Sequence, residues 1–446
     1  MAVSLALALL PLTIATVGAL DLHRALSART QLQDALDAAA LAGAGAVTAK
    51  ASPATAGDDE RLTEVAARAF QENLGAGRPD FQVTRRAFRF DRDHAGVVVA
   101  EAEAEIPTIL GQLVMAGQPL RVTARAEVVR GAKNLEAALV LDVTGSMRGQ
   151  KLTALKSAAK DLVDLLVQDE QTPFYSKVAL APYAATVNLG GLADEARGEA
   201  RKNCTSYGCA RFRFTSASGD PQEFRATTCV TERTEREQYT DAGFRQAPVG
   251  FNYAGAANPC LGSQVRPLSS DRAALKASIN GYVAEGYTAG HIGLAWGWYA
   301  LAPGFAGLWP VENRPADYDR DRLLKVVVLM TDGMFNTAYR DGVVAAEDSR
   351  QDWNARREQI PGRATNGDAF HQARALCDGI KARGVLVYAV GFDLGSQSAA
   401  DAAASRALMA HCASSPDHVY LPETGADLKA AFHQIGEEIS ALRLSR

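Results

Sequence analysis

The chain has 446 residues, of which 47% are hydrophobic and 22% are charged. This composition is typical of a folded protein with buried cores, and it excludes a disordered chain, a collagen and a multi-span membrane protein. The formal net charge is −4 at pH 7, so the chain as a whole lacks the basic character typical of nucleic-acid-binding proteins. At roughly 150 residues per domain, the length allows two or three domains.

The N-terminal segment predicts a membrane anchor that continues as a helical stalk. Residues 2–20 carry no charge, and about 20 apolar residues are needed to cross the hydrocarbon of a bilayer. Residues 21–41 contain neither Gly nor Pro, and their apolar positions recur every three or four residues, as on one face of a helix. A cleaved signal peptide is the alternative, although no basic region precedes the apolar run. We expect residues 1–48 to form a single transmembrane helix and its stalk.

The cysteines indicate the compartment of the remaining chain. Four of the six lie in one irregular stretch and two lie near the C-terminus: Cys204, Cys209, Cys229, Cys260, Cys377 and Cys412. An even number in clusters favours disulfides, which form in oxidising compartments. A zinc site would need closely paired ligands that are absent from the sequence, and six free buried cysteines remain an alternative.

The charges that flank the apolar run and the cysteines predict opposite orientations of the chain in the membrane. Arg24 and Arg29 follow the apolar run and favour a cytoplasmic location for what comes after them, but long domains are translocated largely regardless of flanking charge. We therefore expect a single-pass inner-membrane protein with most of the chain in the periplasm. Helices around Cys377 and Cys412 would flank a strand at 385–390, which predicts a Cys377–Cys412 disulfide. The other four cysteines should pair among themselves, in one of three ways.

Residues 49–132 predict a small α+β module. A short helical pattern at 61–74 precedes three strand-like runs at 81–90, 96–106 and 120–129. The second run has the clearest alternation of apolar and charged residues. No residue pattern in this module suggests catalysis.

Residues 133–446 have a different pattern, in which continuous apolar runs are separated by helical stretches. The runs at 137–141, 325–330 and 384–390 are typical of parallel strands covered on both faces. The helical stretches are at 151–167, 289–302, 370–383 and 426–442. This order predicts an α/β fold with a doubly wound sheet, in which ligands bind beyond the carboxyl ends of the strands. The irregular stretch at about 190–268 is expected to be a solvated insertion held by disulfides.

Oxygen-bearing side chains follow two of these strands. Asp142, Thr144 and Ser146 form D-x-T-x-S after the first run, and Asp332 follows the second in T-D-G. Thr288 lies between them, just before a predicted helix. Carboxylates and hydroxyls suit Mg²⁺ or Mn²⁺ better than zinc or copper. The sequence therefore predicts a divalent metal site.

Two further motifs do not support a site. Residues 211–214 (RFRF) are reminiscent of nucleic-acid stacking motifs, but the acidic net charge and the expected compartment oppose that function. The aspartates within 317–321 are spaced like the start of a calcium loop. Arg322 and Val328 then stand where the loop needs Gly and Glu.

The order of these motifs from residue 134 onward resembles the von Willebrand factor A domain and its metal-ion-dependent adhesion site. The resemblance implies that first-loop hydroxyls, a second-loop Thr and a third-loop Asp hold the metal, some of them through water. In this sequence those roles fall to Asp142, Ser146, Thr288 and Asp332. Thr144 replaces the usual first-loop Ser and retains its hydroxyl.

The N-terminal segment resembles the TadE/TadG-like module of tight-adherence (Flp) pilus assembly. The resemblance is carried by the apolar run followed by residues 31–42 (QLQDALDAAALA), and residues 292–303 (IGLAWGWYALAP) are similar to the TadG branch. It implies a pilin-like membrane-anchored segment before an A domain that binds pilus assembly or pilin-like proteins. Family members usually have basic residues and a Gly before the apolar run, so the natural start is expected further upstream.

Two other functions remain open. Residues 142–146 also resemble the nucleophile loop of haloacid-dehalogenase-type phosphohydrolases, in which Asp142 would form an aspartyl-phosphate. Such enzymes need a second Asp where this chain has Thr144, and an acidic residue that 334–338 does not supply. The other possibility is a von Willebrand A adhesin unrelated to pili, which the genes next to this one would distinguish.

Overall fold

The structure is a computed structural model that describes residues 2–46, 56–74, 80–91, 97–109, 119–129, 133–169, 171–172 and 174–444. Side chains are described from residue 14 onward, except at 56–58 and 444. The chain divides into two compact units, which we treat separately. The smaller unit consists of residues 1–132 with two short pieces, 172–174 and 444–446, and the larger unit consists of 133–171 and 175–443.

Within its described residues, the smaller unit has two long helices and one antiparallel sheet. Its elements are α1 (Ala2–Ala46), α2 (Ala56–Leu74), β1 (Gln82–Phe90), β2 (Val97–Ile106) and β3 (Leu120–Val129), and the strand order is β1-β2-β3. The alternation in β2 places Ala100 and Ala102 in one core with Leu32 and Leu36 of α1. Glu101 faces the other way and pairs with arginines of both neighbouring strands. The predicted helix and three strands are confirmed.

The membrane anchor predicted from residues 2–20 is largely untested by the structure. Residues 2–13 of this run lie outside the residues whose side chains are described. Among those that are described, no helix is both long and apolar enough to cross a membrane.

The larger unit is a mixed α/β structure, as expected. Its helices are α3 (Gln150–Leu166), α4 (Ala193–Arg197), α5 (Arg272–Asn280), α6 (Gly290–Tyr299), α7 (Ala369–Ala382), α8 (Ala399–Cys412) and α9 (Gly425–Leu444). Its strands are β4 (Asn134–Asp142), β5 (Ser176–Tyr183), β6 (Val187–Asn188), β7 (Arg211–Thr215), β8 (Pro221–Thr231), β9 (Gly250–Tyr253), β10 (Arg266–Ser269), β11 (Leu323–Thr331), β12 (Tyr339–Arg340), β13 (Val344–Ala345), β14 (Leu386–Gly391) and β15 (Val419–Tyr420).

Six strands form the main sheet in the order β10-β5-β4-β11-β14-β15. All neighbouring pairs are parallel except β10 with β5. Ala138 and Val140 pack in one core with α6, α7 and α8, whereas Leu139 and Leu141 pack in a second core with α3, α5 and α9. Both faces of β4 are therefore buried, which explains why its sequence is apolar without alternation.

The path of the chain reverses beside β4. After β4 it continues to β5 and β10 on one side, and it then returns to β11 on the other side. The loops that follow β4 and β11 consequently begin next to each other at the carboxyl edge of the sheet. In parallel α/β sheets, such a reversal is where ligands bind.

The insertion is folded, which corrects the expectation of a solvated loop. Strands β6, β7, β8 and β9 form a four-stranded sheet, and Phe214, Phe251 and Tyr253 are buried in its core. Residues 211–214 (RFRF) lie in β7, where successive side chains point to opposite faces. The sequence of β7 alternates with a period of two, which is typical of a strand. A loop was expected because the stretch has no helical period.

The structure contains three disulfides: Cys204–Cys209, Cys229–Cys260 and Cys377–Cys412. The last was predicted from the position of two helices beside one strand. Cys377 lies in α7 and Cys412 ends α8, and both helices contact β14. The four cysteines of the insertion pair among themselves, as expected, and the structure selects one of the three possible pairings.

We expect the Cys377–Cys412 disulfide to contribute about 2–4 kcal/mol to the free energy of unfolding, because it restricts the unfolded chain. The double variant Cys377→Ala/Cys412→Ala should unfold at a lower urea concentration than wild type under oxidising conditions. Under reducing conditions the difference should largely disappear. Non-reducing peptide mapping provides the direct check, and free thiols at both positions in protein from its native compartment would contradict the assignment.

Candidate metal centre

Asp142 is the last residue of β4 and is completely buried. One of its carboxylate oxygens, Oδ2, accepts hydrogen bonds from Thr331 Oγ1 at 2.9 Å and from the Tyr183 hydroxyl at 3.2 Å. The donors end the two neighbouring strands, and the parallel register places Tyr183 directly opposite Asp142. The sheet itself therefore fixes the position of this carboxylate.

The first loop extends from Asp142 toward Asp332 through two hydroxyl groups. Asp142 Oδ1 accepts hydrogen bonds from the backbone N–H and the hydroxyl of Thr144, at 2.9 and 2.6 Å. Thr144 Oγ1 lies 2.9 Å from Ser146 Oγ, which donates to Asp332 Oδ1 at 2.7 Å. Four of the five predicted site residues thus form a continuous chain of contacts, and Ser146 exposes this chain to solvent.

This chain of contacts lacks one hydrogen when both carboxylates are ionised. Three O···O contacts connect Asp142, Thr144, Ser146 and Asp332. Only the two hydroxyls can supply hydrogens to them. One contact therefore brings two oxygen lone pairs together. Either one extra proton or a cation would remove this deficit.

The electrostatics of the cluster agree with this count. Burial raises the pKa of Asp142 to about 7, the negative charge of Asp332 adds to the rise, and hydrogen bonds from Thr144 and Thr331 oppose it. Asp332 is itself nearly inaccessible, with a side chain that is 1% exposed. Two buried carboxylates in one cluster are costly unless a positive charge compensates them.

The fifth predicted site residue is Thr288. Its loop is joined to the first loop by a hydrogen bond from Gly145 N to Gly286 O at 2.9 Å. Thr288 itself is held through its backbone, because its N–H donates to Asn336 Oδ1 at 2.8 Å and its carbonyl accepts from Asn336 N at 2.9 Å. Its assignment as a metal ligand remains a prediction.

Lys151 introduces a positive charge beside the cluster. Its ammonium lies 3.1 Å from Asp332 Oδ2 and 2.9 Å from Asp393 Oδ2. Lys151 is in the first turn of α3, and Asp393 follows β14. Asp332 is therefore bound on one oxygen by Ser146 and on the other by Lys151.

Sequence reasoning missed several residues that surround the site. Asp393 follows the third apolar strand, so the rule that selected Asp142 and Asp332 would have found it too. Tyr183 ends β5, a strand that the sequence analysis did not predict. Lys151 carried no signal, because a lysine at the start of a helix is unremarkable without knowledge of what it faces.

The side chains present fit a hard divalent cation. Two carboxylates and two hydroxyls converge, and Mg²⁺ and Mn²⁺ prefer such oxygen ligands. A divalent cation would also compensate the negative charge of the two carboxylates. Among the described residues, no group of three or more His, Cys, Asp and Glu side chains is placed to hold a metal. Any metal at this position would therefore depend on the hydroxyls as well as on the two carboxylates.

Comparison with known proteins supports the interpretation of the N-terminal segment. The sequence model for the Tad family, described as putative Flp pilus-assembly TadE/G-like, matches residues 1–46. No curated protein matches the sequence significantly.

Several solved structures are similar to the chain at low identity. The pilus adhesin SpaC from Lactobacillus rhamnosus GG, in its open conformation, is 16% identical with a TM-score of 0.40, over 81% of this chain and 34% of SpaC. The vWF domain of the type V pili tip protein Mfa5 from Porphyromonas gingivalis is 12% identical with a TM-score of 0.40, over 71% of this chain and 97% of that domain. Proximal thread matrix protein 1 from the mussel byssus, with a zinc-occupied MIDAS motif, is 13% identical with a TM-score of 0.32, over 70% of this chain and 47% of that one. With TM-scores below 0.5, these likenesses do not establish the fold, and the chain spans about a third of the SpaC adhesin.

We expect Asp142 to make the metal-free protein less stable as pH rises from about 4 to about 7. Its raised pKa means that the folded state holds a proton which the unfolded state has already lost. The free energy of unfolding should therefore fall across this range, by an amount on the order of a few kcal/mol. Asp142→Asn should remove this pH dependence. The asparagine carbonyl can still accept from Thr144, and both hydroxyls at the other oxygen have a backbone carbonyl at 3.1 or 3.2 Å as an alternative acceptor.

The measurement is urea unfolding of the full chain in chelator at several pH values. All four tryptophans, Trp296, Trp298, Trp309 and Trp353, belong to the larger unit, so their fluorescence reports its unfolding. The matched control is Asp220→Asn, an exposed aspartate of the insertion. A stability difference between Asp142→Asn and wild type that does not change with pH would contradict the interpretation.

Proposed function

We propose that this protein is a TadG-like pilus assembly or adhesion protein, anchored in the inner membrane by its N-terminal segment. Its larger unit would be a periplasmic von Willebrand A domain that binds a partner protein through a divalent metal. Asp142, Thr144, Ser146, Thr288 and Asp332 would hold that metal. The observation that carries this proposal is the buried cluster of two carboxylates and two hydroxyls, which is one hydrogen short when both carboxylates are ionised.

The architecture of the larger unit supports the A-domain assignment. The sheet is mostly parallel, helices cover both faces, and the chain reverses direction next to β4. The cluster lies at that reversal. These features support a doubly wound sheet, and the oxygen-bearing side chains of the cluster lie where ligands of such sheets bind.

The expected chemistry is binding without turnover. A bound Mg²⁺ or Mn²⁺ would supply positive charge and a coordination position for a carboxylate of the partner, because such ions keep exchangeable waters where protein ligands are lacking. The protein side chains would orient the ion and exclude water from the inner side, where Asp142 is buried. Solvent-exposed Ser146 lies on the side from which a partner can approach.

An exposed aromatic side chain beside the second loop also favours protein binding. Trp353 is 79% exposed, and it begins the short helix Trp353–Arg357. The preceding residue, Asp352, contacts the second loop: burial and a hydrogen bond to Asp352 raise the pKa of Tyr287 to about 12. Exposed tryptophans are strongly enriched among residues that dominate protein interfaces.

The N-terminal match supports the pilus context and the location. Residues 1–46 resemble a pilus-assembly family, which favours this role over an adhesin unrelated to pili. The three disulfides favour an oxidising compartment. A cytoplasmic location would be inconsistent with stable disulfides at Cys229–Cys260 and Cys377–Cys412.

The phosphohydrolase alternative is not favoured. A nucleophilic carboxylate must attack its substrate directly, whereas Asp142 is completely buried and each of its oxygens accepts two hydrogen bonds. A metal, by contrast, can be held through a water molecule. The residue two positions later is Thr144, which donates to Asp142 instead of serving as an acid. The position that supplies the second aspartate in such enzymes therefore carries no acid or base here.

We expect partner capture to depend on divalent metal and on the charge of Asp142. After crosslinking in intact membranes, wild-type protein should co-purify with pilin-like or pilus assembly proteins when Mg²⁺ is present. Chelator or Asp142→Asn should reduce this recovery by about tenfold or more, since an amide cannot neutralise the cation. Asp142→Ala is less suitable, because it would leave the buried backbone N–H of Thr144 without the acceptor that Asp142 Oδ1 provides.

The controls separate folding from binding. Asp220→Asn also removes one aspartate charge, and it should capture partners like wild type. Tryptophan fluorescence should show that Asp142→Asn remains folded. Equal recovery by folded Asp142→Asn and wild type, with and without chelator, would refute metal-dependent binding.

A further inference from the structure

Lys151 occupies a position that favours an anion. It lies in the first turn of α3, where the aligned peptide dipoles give the helix its positive end. That turn contains no acidic residue. A lysine at this place costs the helix about 0.3–1 kcal/mol, which a nearby anion can offset.

The compensation comes from two carboxylates of different loops. The Lys151 ammonium bridges Asp332 and Asp393, at 3.1 and 2.9 Å. The side chains of Lys151 and Asp393 are 24% and 32% exposed, whereas that of Asp332 is 1% exposed. Lys151 thus partly compensates the negative charge of the buried Asp332 carboxylate, and it does so from the solvent side.

Lys151 remains charged in this environment. Burial lowers the pKa of Lys151, but the negative charge of Asp332 and the hydrogen bonds to Asp393 and Asp332 outweigh this effect and leave it raised. The ammonium lies 3.1 Å from one oxygen of Asp332, a carboxylate that the metal would use.

The second partner of Lys151 is held in an uncommon backbone conformation. Asp393 has φ 51° and ψ 40°, in the left-handed region that residues with a side chain rarely adopt. Asp tolerates this region better than most residues, although at some cost. An acidic residue at this position places a carboxylate where it can bind Lys151.

Building on the proposed function, we infer that Lys151 is a tethered counter-ion of the metal centre. In the metal-free protein it neutralises Asp332 and links the loops that follow β11 and β14. When a divalent cation binds, the same ammonium repels it and competes for Asp332. Lys151 therefore stabilises the empty centre and lowers its affinity for metal, so that the centre responds to the metal supply.

The test compares four full-length proteins: wild type, Lys151→Gln, Lys151→Arg and Lys156→Gln. Lys156 is on the same helix, and its ammonium donates to the carbonyl of Asn280, away from the cluster. Mg²⁺ and Mn²⁺ are each titrated by calorimetry. Thermal unfolding is followed by tryptophan fluorescence in chelator and in saturating Mg²⁺.

We expect Lys151→Gln to bind both ions about tenfold more tightly than wild type, because one like charge near a divalent ion is removed. In chelator, the same variant should unfold at a temperature lower by roughly a few degrees, because Asp332 loses its counter-ion. Saturating Mg²⁺ should abolish most of that deficit. Lys151→Arg keeps the charge and should resemble wild type in both measurements, as should Lys156→Gln in metal affinity.

The possible failures are distinguishable. If wild type binds metal and Lys151→Gln binds it no more tightly, the inference about Lys151 is wrong while the metal centre stands. If neither protein binds Mg²⁺ or Mn²⁺, the proposed function falls and the inference falls with it. A Lys151→Gln deficit in thermal stability that Mg²⁺ does not reduce would also overturn the counter-ion role.

Discussion

The candidate metal centre depends on two carboxylates that the parallel sheet places next to each other at its buried carboxyl edge. Asp142 and Asp332 end up in one cluster because β4 and β11 are parallel neighbours. Two buried carboxylates so close together repel each other, and the surrounding groups compensate part of their negative charge. Thr144 and Ser146 supply hydrogens, Lys151 supplies a charge, and Asp142 tends to keep a proton.

The packing behind the cluster holds its inner side against α6. Tyr183 holds Asp142 in place, and its ring lies against α6. A Cβ atom at Gly293 would come within 2.3 Å of that ring, so only glycine permits this approach. At Gly297 a Cβ atom would lie 2.3 Å from a methyl group of Val140. The glycines of α6 thus bring the helix close to the sheet and hold the tyrosine against the carboxylate.

Much of this arrangement could be predicted from the sequence, because continuous apolar runs and alternating patterns identify strands directly. The strands that end in Asp142 and Asp332, the helices around them and the Cys377–Cys412 disulfide all followed from such patterns. The folded insertion was missed because its period of two was not recognised in β7. Lys151 and Tyr183 were missed because their roles depend on partners that are brought close only by the fold.

The most direct test of the account is the position of a bound metal. Crystals of the protein grown with Mn²⁺ can be examined at a wavelength where manganese scatters anomalously. We expect one anomalous peak bounded by the side chains of Asp142, Ser146 and Asp332, which Asp142→Asn removes. No peak at this cluster in saturating Mn²⁺, with the contacts between Thr144, Ser146 and Asp332 unchanged, would contradict the central claim.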